Sequence, residues 1–290
     1  MTEKRHIVKK TLAESPSVMD EIKTKVAGAM ATVWEFCSQQ DGNHRSSSKT
    51  DVLHGAWEKI LKSSFGDYQD EFEERFSFTT EKAKNGKTKK VQGILCGQGR
   101  DFRVDMALYE GGQIHTVYLL KAHMTSLNKN KFNNEGAMIG EINRFYSNPD
   151  NADIRLVFVN FVPENTFSVS KNIYTPEKTD YTGFCQKKNG TSAKDMCVID
   201  NRHKDKILEV VVSYDLDFSQ ENVSKKDAMK KIKNRNDLFD AIKNKPNFIT
   251  VIGSGIKDLS QYITQFVAEN KLAVDGPKVE PLKKQLEFRF

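Results

Sequence analysis

Two strand-like runs joined by a short glycine turn constrain the fold of this chain more than any other feature. Phe102–Tyr109 and Ile114–Met124 are rich in apolar, β-branched and aromatic residues, and the sequence Glu-Gly-Gly-Gln at 110–113 lies between them. This arrangement predicts a β-hairpin, in which alternate side chains point to opposite faces of the sheet. Lys121 is a charge near the end of the second run, where most other side chains are apolar, β-branched or aromatic.

The segments around this hairpin alternate between helical and strand-like patterns. Helical patterns cover residues 17–38, 52–61, 67–76, 134–146, 225–243 and 258–269, and short apolar runs cover 91–96, 154–162, 208–214 and 248–252. A basic stretch at 81–90, with Asn85-Gly86 at its tip, predicts a second turn or hairpin. The order of these segments predicts an α/β protein with a mixed central β-sheet flanked by helices.

The length of 290 residues suits one large domain or two small ones, and we interpret it as a single domain. Within it we distinguish a helical N-terminal part (1–80), a core (91–162) and a C-terminal α/β part (207–290). The segment 163–206 is long, polar and weakly patterned. Because loops of this length inside a domain are usually functional or disordered, this segment is a candidate for recognising a ligand.

The charge of the chain is modestly basic. It has 45 Lys and Arg residues against 39 Asp and Glu residues, which gives a formal net charge of +6. Such an excess is typical of proteins that bind polyanions, although many solvated surfaces have the same composition. The start of the chain has no apolar signal region, and no apolar run approaches the roughly 20 residues of a membrane helix. We therefore expect an intracellular protein without a membrane span.

The four cysteines, Cys37, Cys96, Cys185 and Cys197, are scattered and form no CxxC motif. Reduced thiols in a reducing compartment are the simplest interpretation. Because His203 follows Cys185 and Cys197 in the same polar region, a zinc site there is the alternative.

An acid, a lysine and a second acid fall on the two strands and on the helix that follows them. A hairpin can place Asp105 and Lys121 on the same side of neighbouring strands. Glu135 belongs to an apolar helical stripe formed by Met138, Ile139, Ile142 and Tyr146. Glu141 lies off this stripe. We therefore expect Glu135 to point inward, where a carboxylate needs a partner or a metal ion.

Two carboxylates and a lysine suit Mg²⁺-assisted hydrolysis of a phosphodiester. Mg²⁺ prefers oxygen ligands, and it can activate water and stabilise the leaving oxygen. A lysine in such a site can orient the water or neutralise charge on the phosphate. The alternatives are that Lys121 merely protects a strand from edge pairing and that Glu135 lies in an exposed first helical turn.

These residues resemble the catalytic core of the PD-(D/E)XK nuclease superfamily, and in particular type II restriction endonucleases. In that superfamily, a core of helix, three strands, helix and strand has an acid on one strand and acid-x-Lys on the next. Asp105 and Lys121 match the first acid and the lysine, whereas Leu119 occupies the place of the second acid. Some restriction enzymes move that acid to the following helix, with thirteen residues between it and the lysine. Residues 122–134 separate Lys121 from Glu135 in the same way.

The resemblance implies a restriction-endonuclease-like core and a Mg²⁺-dependent, sequence-specific endodeoxyribonuclease in a prokaryotic cytoplasm. The enzyme would act as a homodimer on double-stranded DNA. Asp105, Lys121 and Glu135 would be catalytic, and Asp105 and Glu135 would bind metal together with Glu58 of the preceding helix. Leu119 leaves open a catalytically inactive DNA-binding protein on the same fold, and a repair or recombination nuclease is a further alternative.

Duplex DNA binding needs groups that neutralise phosphates and groups that contact base edges. Basic and amide side chains lie beside the predicted site and in the 163–206 segment, which is therefore a candidate recognition insertion. The candidates for contacting DNA are Arg100, Arg103, His123, Lys129, Lys131, Lys187, Lys188, Asn189 and Arg202.

Overall fold

The structure is a computed structural model that describes residues 15–39, 48–78, 80–82, 88–90, 94–96, 101–171, 173–217, 225–233, 237 and 250–272. The tip of the predicted 81–90 turn, Arg100 and most of residues 234–243 lie outside this part of the chain. The helices are α1 (Pro16–Gln39), α2 (Ser48–Ser64), α3 (Gln69–Arg75), α4 (Leu127–Tyr146), α5 (Asn201–Lys204), α6 (Lys225–Lys230) and α7 (Lys257–Glu269).

The strands are short before residue 104 and longer after it. They are β1 (Phe76–Phe78), β2 (Thr80–Lys82), β3 (Thr88–Lys90), β4 (Ile94–Cys96), β5 (Asp101–Arg103), β6 (Met106–Glu110), β7 (Gln113–Ala122), β8 (Arg155–Pro163), β9 (Asn165–Ser170), β10 (Ile173–Lys178), β11 (Ile207–Asp217) and β12 (Thr250–Gly255).

A six-stranded mixed sheet forms the centre of the fold, with the strand order β1-β6-β7-β8-β11-β12. β1, β6 and β7 pair antiparallel, β7, β8 and β11 pair parallel, and β12 pairs antiparallel with β11. Parallel neighbours need a crossover connection, and α4 provides it between β7 and β8. The other described strands form three two-stranded sheets, β2–β3, β4–β5 and β9–β10.

The sheet separates two hydrophobic clusters. On one face, α1, α2 and α7 pack against the central strands, where Trp57 and Phe161 are completely buried. On the other face, α4 covers Leu119 and Phe158. Strands that are covered on both faces are apolar at most positions, which explains the apolar run at 154–162. The prediction of an α/β protein with a mixed central sheet flanked by helices is therefore confirmed.

The packing of α1 against β12 is unusually close. The buried face of α1 has the expected helical spacing and consists of Ile22, Val26, Met30, Val33 and Cys37. Beside this face, a Cβ atom built on Gly253 of β12 would lie 2.2 Å from the carbonyl oxygen of Lys23. Only glycine fits at this position without moving the two backbones apart.

The predicted strand Phe102–Tyr109 is wrong in its continuity. The chain forms β5 and β6 instead, which pair with β4 and β7 respectively, and Asp105 lies in the break between them. At this break, the Asp105 side chain, rather than the backbone of a strand residue, accepts the hydrogen bond from the backbone N–H of Leu120 in β7. An acid that the sequence placed in mid-strand therefore lies just before β6.

α4 begins at Leu127, seven residues before the predicted start of this helix. Its first two turns have little apolar periodicity, but contacts with the chain after β10 stabilise them. Asn128 bonds to the backbone of Lys178 and Asp180, and Lys131 forms an ion pair with Asp180. The segment 163–206 is consequently partly regular, since it contains the β9–β10 hairpin and α5. None of the described helices is both long and apolar enough to cross a bilayer.

Candidate active site

Asp105 is fixed against β7 by its own carboxylate. One oxygen, Oδ2, accepts a hydrogen bond of 2.7 Å from the backbone N–H of Leu120. The other, Oδ1, lies 3.6 Å from Nε2 of His54 on α2. Leu120 immediately precedes Lys121, so the Asp105 carboxylate bonds to the backbone of β7 one residue before the lysine.

Lys121 forms its ion pair with Glu141 rather than with Glu135. Its Nζ donates to Oε1 of Glu141 at 2.8 Å, and both side chains are about one-third exposed, at 31 % and 30 %. Glu141, which lies off the apolar stripe of α4, is therefore the acid of this helix that reaches the lysine. Its second oxygen, Oε2, is buried and accepts no hydrogen bond within the described residues. A buried carboxylate oxygen without a donor is able to accept a cation or a donor from a ligand.

Glu135 is half-buried on the α4 face that also contains Met138 and Ile142. No hydrogen bond or ion pair joins it to Lys121 or Asp105 within the described part of the chain. It lies instead near the chain after β10. Burial raises the pKa of Tyr181, and the charges of Glu209 and Glu135 raise it further. The predicted inward orientation of Glu135 agrees with this position, whereas its predicted contact with Lys121 does not form.

Asn160 links the neighbouring strands beside Lys121. It is opposite Lys121 in the parallel pairing of β7 with β8, and opposite Val211 in the pairing of β8 with β11. Its Oδ1 lies 3.1 Å from Nε2 of His123, and its Nδ2 donates to Oε1 of Glu209 at 2.8 Å. The three polar side chains form a diagonal row across β7, β8 and β11. The row begins just beyond the carboxyl end of β7, passes through the second half of β8 and ends near the start of β11.

Glu209 is the acceptor at the end of this row. Its Oε1 also accepts from the hydroxyl of Tyr181, and its Oε2 accepts from the backbone N–H groups of Phe184 at 2.8 Å and Cys185 at 3.2 Å. The Tyr181 ring lies 5.7 Å from the ring of His123, centroid to centroid. One carboxylate thus connects the sheet to the polar segment above it.

Burial raises the pKa of Glu209, and the hydrogen bonds from Tyr181, Cys185 and Phe184 oppose this shift. The folded state therefore holds a proton on Glu209 more tightly than the unfolded chain does. The resulting stabilisation is complete below the usual value of 4.5 and is lost as the pH rises through the folded-state pKa.

Replacing Glu209 by Gln should lower the free energy of unfolding at neutral pH by about 1–3 kcal/mol, because buried donors lose a charged acceptor. The wild type should gain stability relative to Glu209→Gln as the pH falls from 7 towards 4.5. Urea unfolding at several pH values measures this difference. A difference that stays constant, or that shrinks in acid, would contradict the raised pKa.

Several of the residues that were predicted to contact DNA lie close to one another around the start of α4. Lys131 pairs with Asp180 at 2.8 Å, and this hydrogen bond raises the pKa of Lys131. Desolvation, together with the neighbouring Lys131 ammonium, lowers the pKa of Lys188. Lys129 is exposed and lies 3.5 Å from the carbonyl oxygen of Val169 in β9. The start of α4, the β9–β10 hairpin and the 187–189 turn therefore form one basic surface.

The other residues that were predicted to contact DNA lie in different parts of the structure. Lys187 and Asn189 are exposed on the same turn as Lys188, and Asn189 has a left-handed φ of 52°. Arg202 pairs with Asp200 at 3.2 Å on α5 and its charge reaches Asp153, which precedes β8. Arg202 therefore lies towards the opposite end of the parallel strands from Lys121. Arg103 contributes its backbone to β5, and its side chain lies outside the described part of the structure, as does Arg100.

The α2 residue that faces Asp105 is His54, not the predicted Glu58. Glu58 lies one turn further along α2 and pairs with Lys62 at 3.3 Å. His54 is buried, and its Nε2 accepts or donates no hydrogen bond within the described residues, although Asp105 approaches it. Residues four apart share a helix face, so His54 and Glu58 lie on the same side of α2, and the role of Glu58 as a metal ligand stays a prediction.

Sequence reasoning missed His54, Asn160, Tyr181 and Glu209. Asn160 and Glu209 are polar exceptions within apolar strands, the same signal that identified Lys121. His54 is next to the buried helical positions Leu53 and Trp57 and could have been found as a polar residue on an apolar stripe. Tyr181 had no local signal, since its position depends on how the chain after β10 folds back.

Within the described residues, no group of three or more His, Cys, Asp or Glu side chains has an arrangement that could hold a metal ion. The zinc alternative for Cys185, Cys197 and His203 therefore has no support in this part of the chain.

Comparisons with models of known protein families, with curated proteins and with solved structures give no match to this chain.

Proposed function

We propose that this chain is a Mg²⁺-dependent, sequence-specific endodeoxyribonuclease that cleaves double-stranded DNA as a homodimer, in the manner of a type II restriction enzyme. The observation that carries the proposal is the set of charges around one point of β7. The carboxylate of Asp105 bonds to the amide before Lys121, and Lys121 itself bonds to an acid of α4, Glu141. An acid, a lysine and a second acid are thus the charged groups of this site.

The order of the elements supports a restriction-endonuclease-like core. α2 precedes three antiparallel neighbours, β1, β6 and β7, and α4 then leads to β8, which is parallel to β7. This is the sequence of helix, three strands, helix and strand that the resemblance implies. The insertion between β1 and β6 forms the separate β2–β3 and β4–β5 pairs and leaves this order unchanged.

The side chains beside Lys121 suit Mg²⁺. Proteins commonly bind this ion through only one or two carboxylates, with water and substrate phosphate as the other ligands. Asp105 and Glu141 are the residues that would hold it, since Glu141 has a buried oxygen without a donor. When bound, the ion would activate water and stabilise the departing oxygen.

Lys121 has a separate part in this mechanism. Its ammonium group can donate to the attacking water or to a non-bridging phosphate oxygen, so that negative charge gained in the transition state is stabilised. Lys121 donates to the Glu141 carboxylate, which orients the ammonium group between β7 and α4. The basic surface of Lys129, Lys131 and Lys188, at the start of α4 and on the 187–189 turn, can neutralise phosphates of the duplex.

A DNA-binding protein without cleavage activity is the second candidate function. Leu119 occupies the place of the expected acid, and its side chain is 5 % exposed within the cluster covered by α4. It therefore contributes to the core rather than to the site. This observation favours a chain that has kept the fold and the basic surface but has lost hydrolysis.

Incubation of plasmid DNA with Mg²⁺, and separately with EDTA, tests the proposed function. Discrete fragments that appear only with Mg²⁺ support a sequence-specific nuclease. A shift in gel mobility without cleavage supports the DNA-binding alternative. Absence of both cleavage and binding would reject both candidates.

The two helix acids can be separated by neutral substitutions. Glu141→Gln should raise the Mg²⁺ concentration needed for half-maximal cleavage by about 10–100-fold, because it weakens both the metal site and the orientation of Lys121. Glu135→Gln is the matched control on the same helix and should have a smaller effect. A Mg²⁺ titration of plasmid cleavage measures both. A larger effect of Glu135→Gln would show that the thirteen-residue spacing, and not the contact with Lys121, identifies the metal ligand.

A further inference from the structure

The four groups that contact the Glu209 carboxylate are all able to donate. Tyr181 offers a hydroxyl, Asn160 an amide nitrogen, and Phe184 and Cys185 their backbone N–H groups. The two backbone groups can only donate, so both require an acceptor at Oε2. The carboxylate therefore fixes the direction of every hydrogen bond around it.

The direction of these hydrogen bonds also determines the orientation of the Asn160 amide and, through it, the tautomer of His123. Because Nδ2 of Asn160 donates to Glu209, the amide must present its oxygen to the histidine. An amide oxygen is only an acceptor, so Nε2 of His123 must bear the proton of this hydrogen bond. Nδ1 is then the ring nitrogen that changes its protonation state.

The same carboxylate determines how closely the chain after β10 approaches the sheet. Gly183 has a left-handed φ of 83°, and a Cβ atom built on it would lie 2.8 Å from Oε2 of Glu209. Glycine at this position lets the backbone reach the carboxylate and brings Tyr181 beside the His123 ring. The position of this segment and the orientation of the ring thus depend on one anchor.

We propose that Asn160 and Glu209 are positioning residues of the candidate active site, which hold His123 in its Nε2–H tautomer so that Nδ1, once protonated, is the nitrogen that donates to a phosphate oxygen of the substrate. His123 follows Lys121 by two residues and lies diagonal to Asn160 on the same face of the sheet. The contact with phosphate rests on the proposed nuclease function, whereas the tautomer is a property of the folded chain alone. The two parts can therefore fail independently.

The tautomer can be read from nitrogen resonances of protein with ¹⁵N-labelled histidine rings, at a pH about two units above the ordinary histidine pKa of about 6.5. The His123 signals are those that disappear in His123→Gln. In the wild type, Nε2 should have the shift of a protonated ring nitrogen and Nδ1 that of an unprotonated one. The opposite assignment in the wild type would overturn the proposal without any variant being needed.

Glu209→Gln should invert this tautomer. The new amide must present its oxygen to Phe184 and Cys185, so that its nitrogen faces Asn160. Asn160 then turns its oxygen to that nitrogen and its own nitrogen to His123, and His123 becomes an acceptor at Nε2. If Glu209 had only a structural role, its replacement would leave the His123 tautomer unchanged or give a mixture of the two tautomers. A folded Glu209→Gln protein with an unchanged tautomer would therefore contradict the relay.

Asp195→Asn is the matched control. Asp195 lies in the same polar segment and accepts hydrogen bonds of 3.0 Å from the N–H and the hydroxyl of Ser192. This substitution should weaken the segment and leave the His123 signals in place. If Asp195→Asn also changes the tautomer, the effect reflects loosening of the segment and the relay is rejected. Asn160→Leu replaces Glu209→Gln as the test if that variant does not fold. It removes the amide, so His123 should no longer have a single fixed tautomer.

Cleavage kinetics test the functional part. Glu209→Gln and His123→Ala should each reduce plasmid cleavage by about tenfold, as substitutions of supporting residues commonly do. In the His123→Ala background, Glu209→Gln should cause no further loss, because it acts through the missing ring. If the two substitutions reduce the cleavage rate additively, the proposed contact of His123 with phosphate is rejected, whereas the tautomer result is unaffected. If the wild type does not cleave DNA, the functional part is rejected together with the proposed function, and the tautomer result is unaffected.

Discussion

Replacing Lys121 by Met should reduce Mg²⁺-dependent cleavage of plasmid DNA by at least about 100-fold, because the ammonium group that stabilises charge in the transition state is removed. The affinity for duplex DNA should change little, since the basic surface of Lys129, Lys131 and Lys188 remains. Met preserves the length and most of the apolar volume of the side chain. Cleavage rates at saturating DNA and gel-shift affinities with Ca²⁺ in place of Mg²⁺ measure the two effects separately.

The fold should survive this substitution. The Lys121–Glu141 pair is partly exposed, and exposed ion pairs contribute only about 0–1 kcal/mol to stability. Lys62→Met is the matched control, because Lys62 also pairs with acids but lies on α2 beside Glu58 and Glu73. It should leave cleavage unchanged. Normal cleavage by Lys121→Met would reject the catalytic assignment and favour the DNA-binding alternative.

Gly253→Ala should lower the free energy of unfolding by about 1–3 kcal/mol, the usual range for forcing extra atoms into a packed interior. The added Cβ would lie 2.2 Å from the carbonyl oxygen and 2.8 Å from the carbonyl carbon and Cα of Lys23. These are backbone atoms, which cannot rotate away as a side chain can. α1 and β12 must therefore separate, and the buried face of α1 would lose contacts with the sheet.

Urea or thermal unfolding of the purified variant measures this effect. Gly255→Ala is the control on the same strand, because its Cβ would approach only the side chain of Ser213, at 3.2 Å. It should be clearly less destabilising. Equal losses of stability in the two variants would show that the conformation of β12, rather than its distance from α1, limits what residue fits.

The sequence was sufficient to predict the sheet class and the pairing of β6 with β7 in a hairpin, because both depend on local patterns. Alternation along two strands and a glycine turn determine which side chains of a hairpin can meet. The start of α4 could not be predicted in the same way. Its first turns depend on Asn128 and Lys131 bonding to Lys178 and Asp180, contacts between distant parts of the chain.

The partner of Lys121 shows the limit of spacing arguments. Glu135 was chosen because it lies on an apolar stripe, and it is indeed half-buried there. Which acid reaches Lys121 depends on the angle at which α4 crosses the sheet, and Glu141, at the margin of the stripe, makes the contact. His54 and Glu209 could have been found as buried polar exceptions, but their partners could not be assigned without the fold.

The parallel pairing of β7, β8 and β11 has a consequence for how the site forms in time. Lys121 pairs with Asn160, and Asn160 with Val211, so each step joins residues that are far apart in sequence. Contacts of this kind require closure of long loops and form slowly during folding. The N-terminal helices and the β6–β7 hairpin are local and can form early. We therefore expect Lys121 and His123 to lie on or beside a formed hairpin before Asn160 and Glu209 reach them. Any activity that needs this row of side chains should appear only with the last cooperative step, and a chain still emerging from the ribosome at β8 has no assembled site.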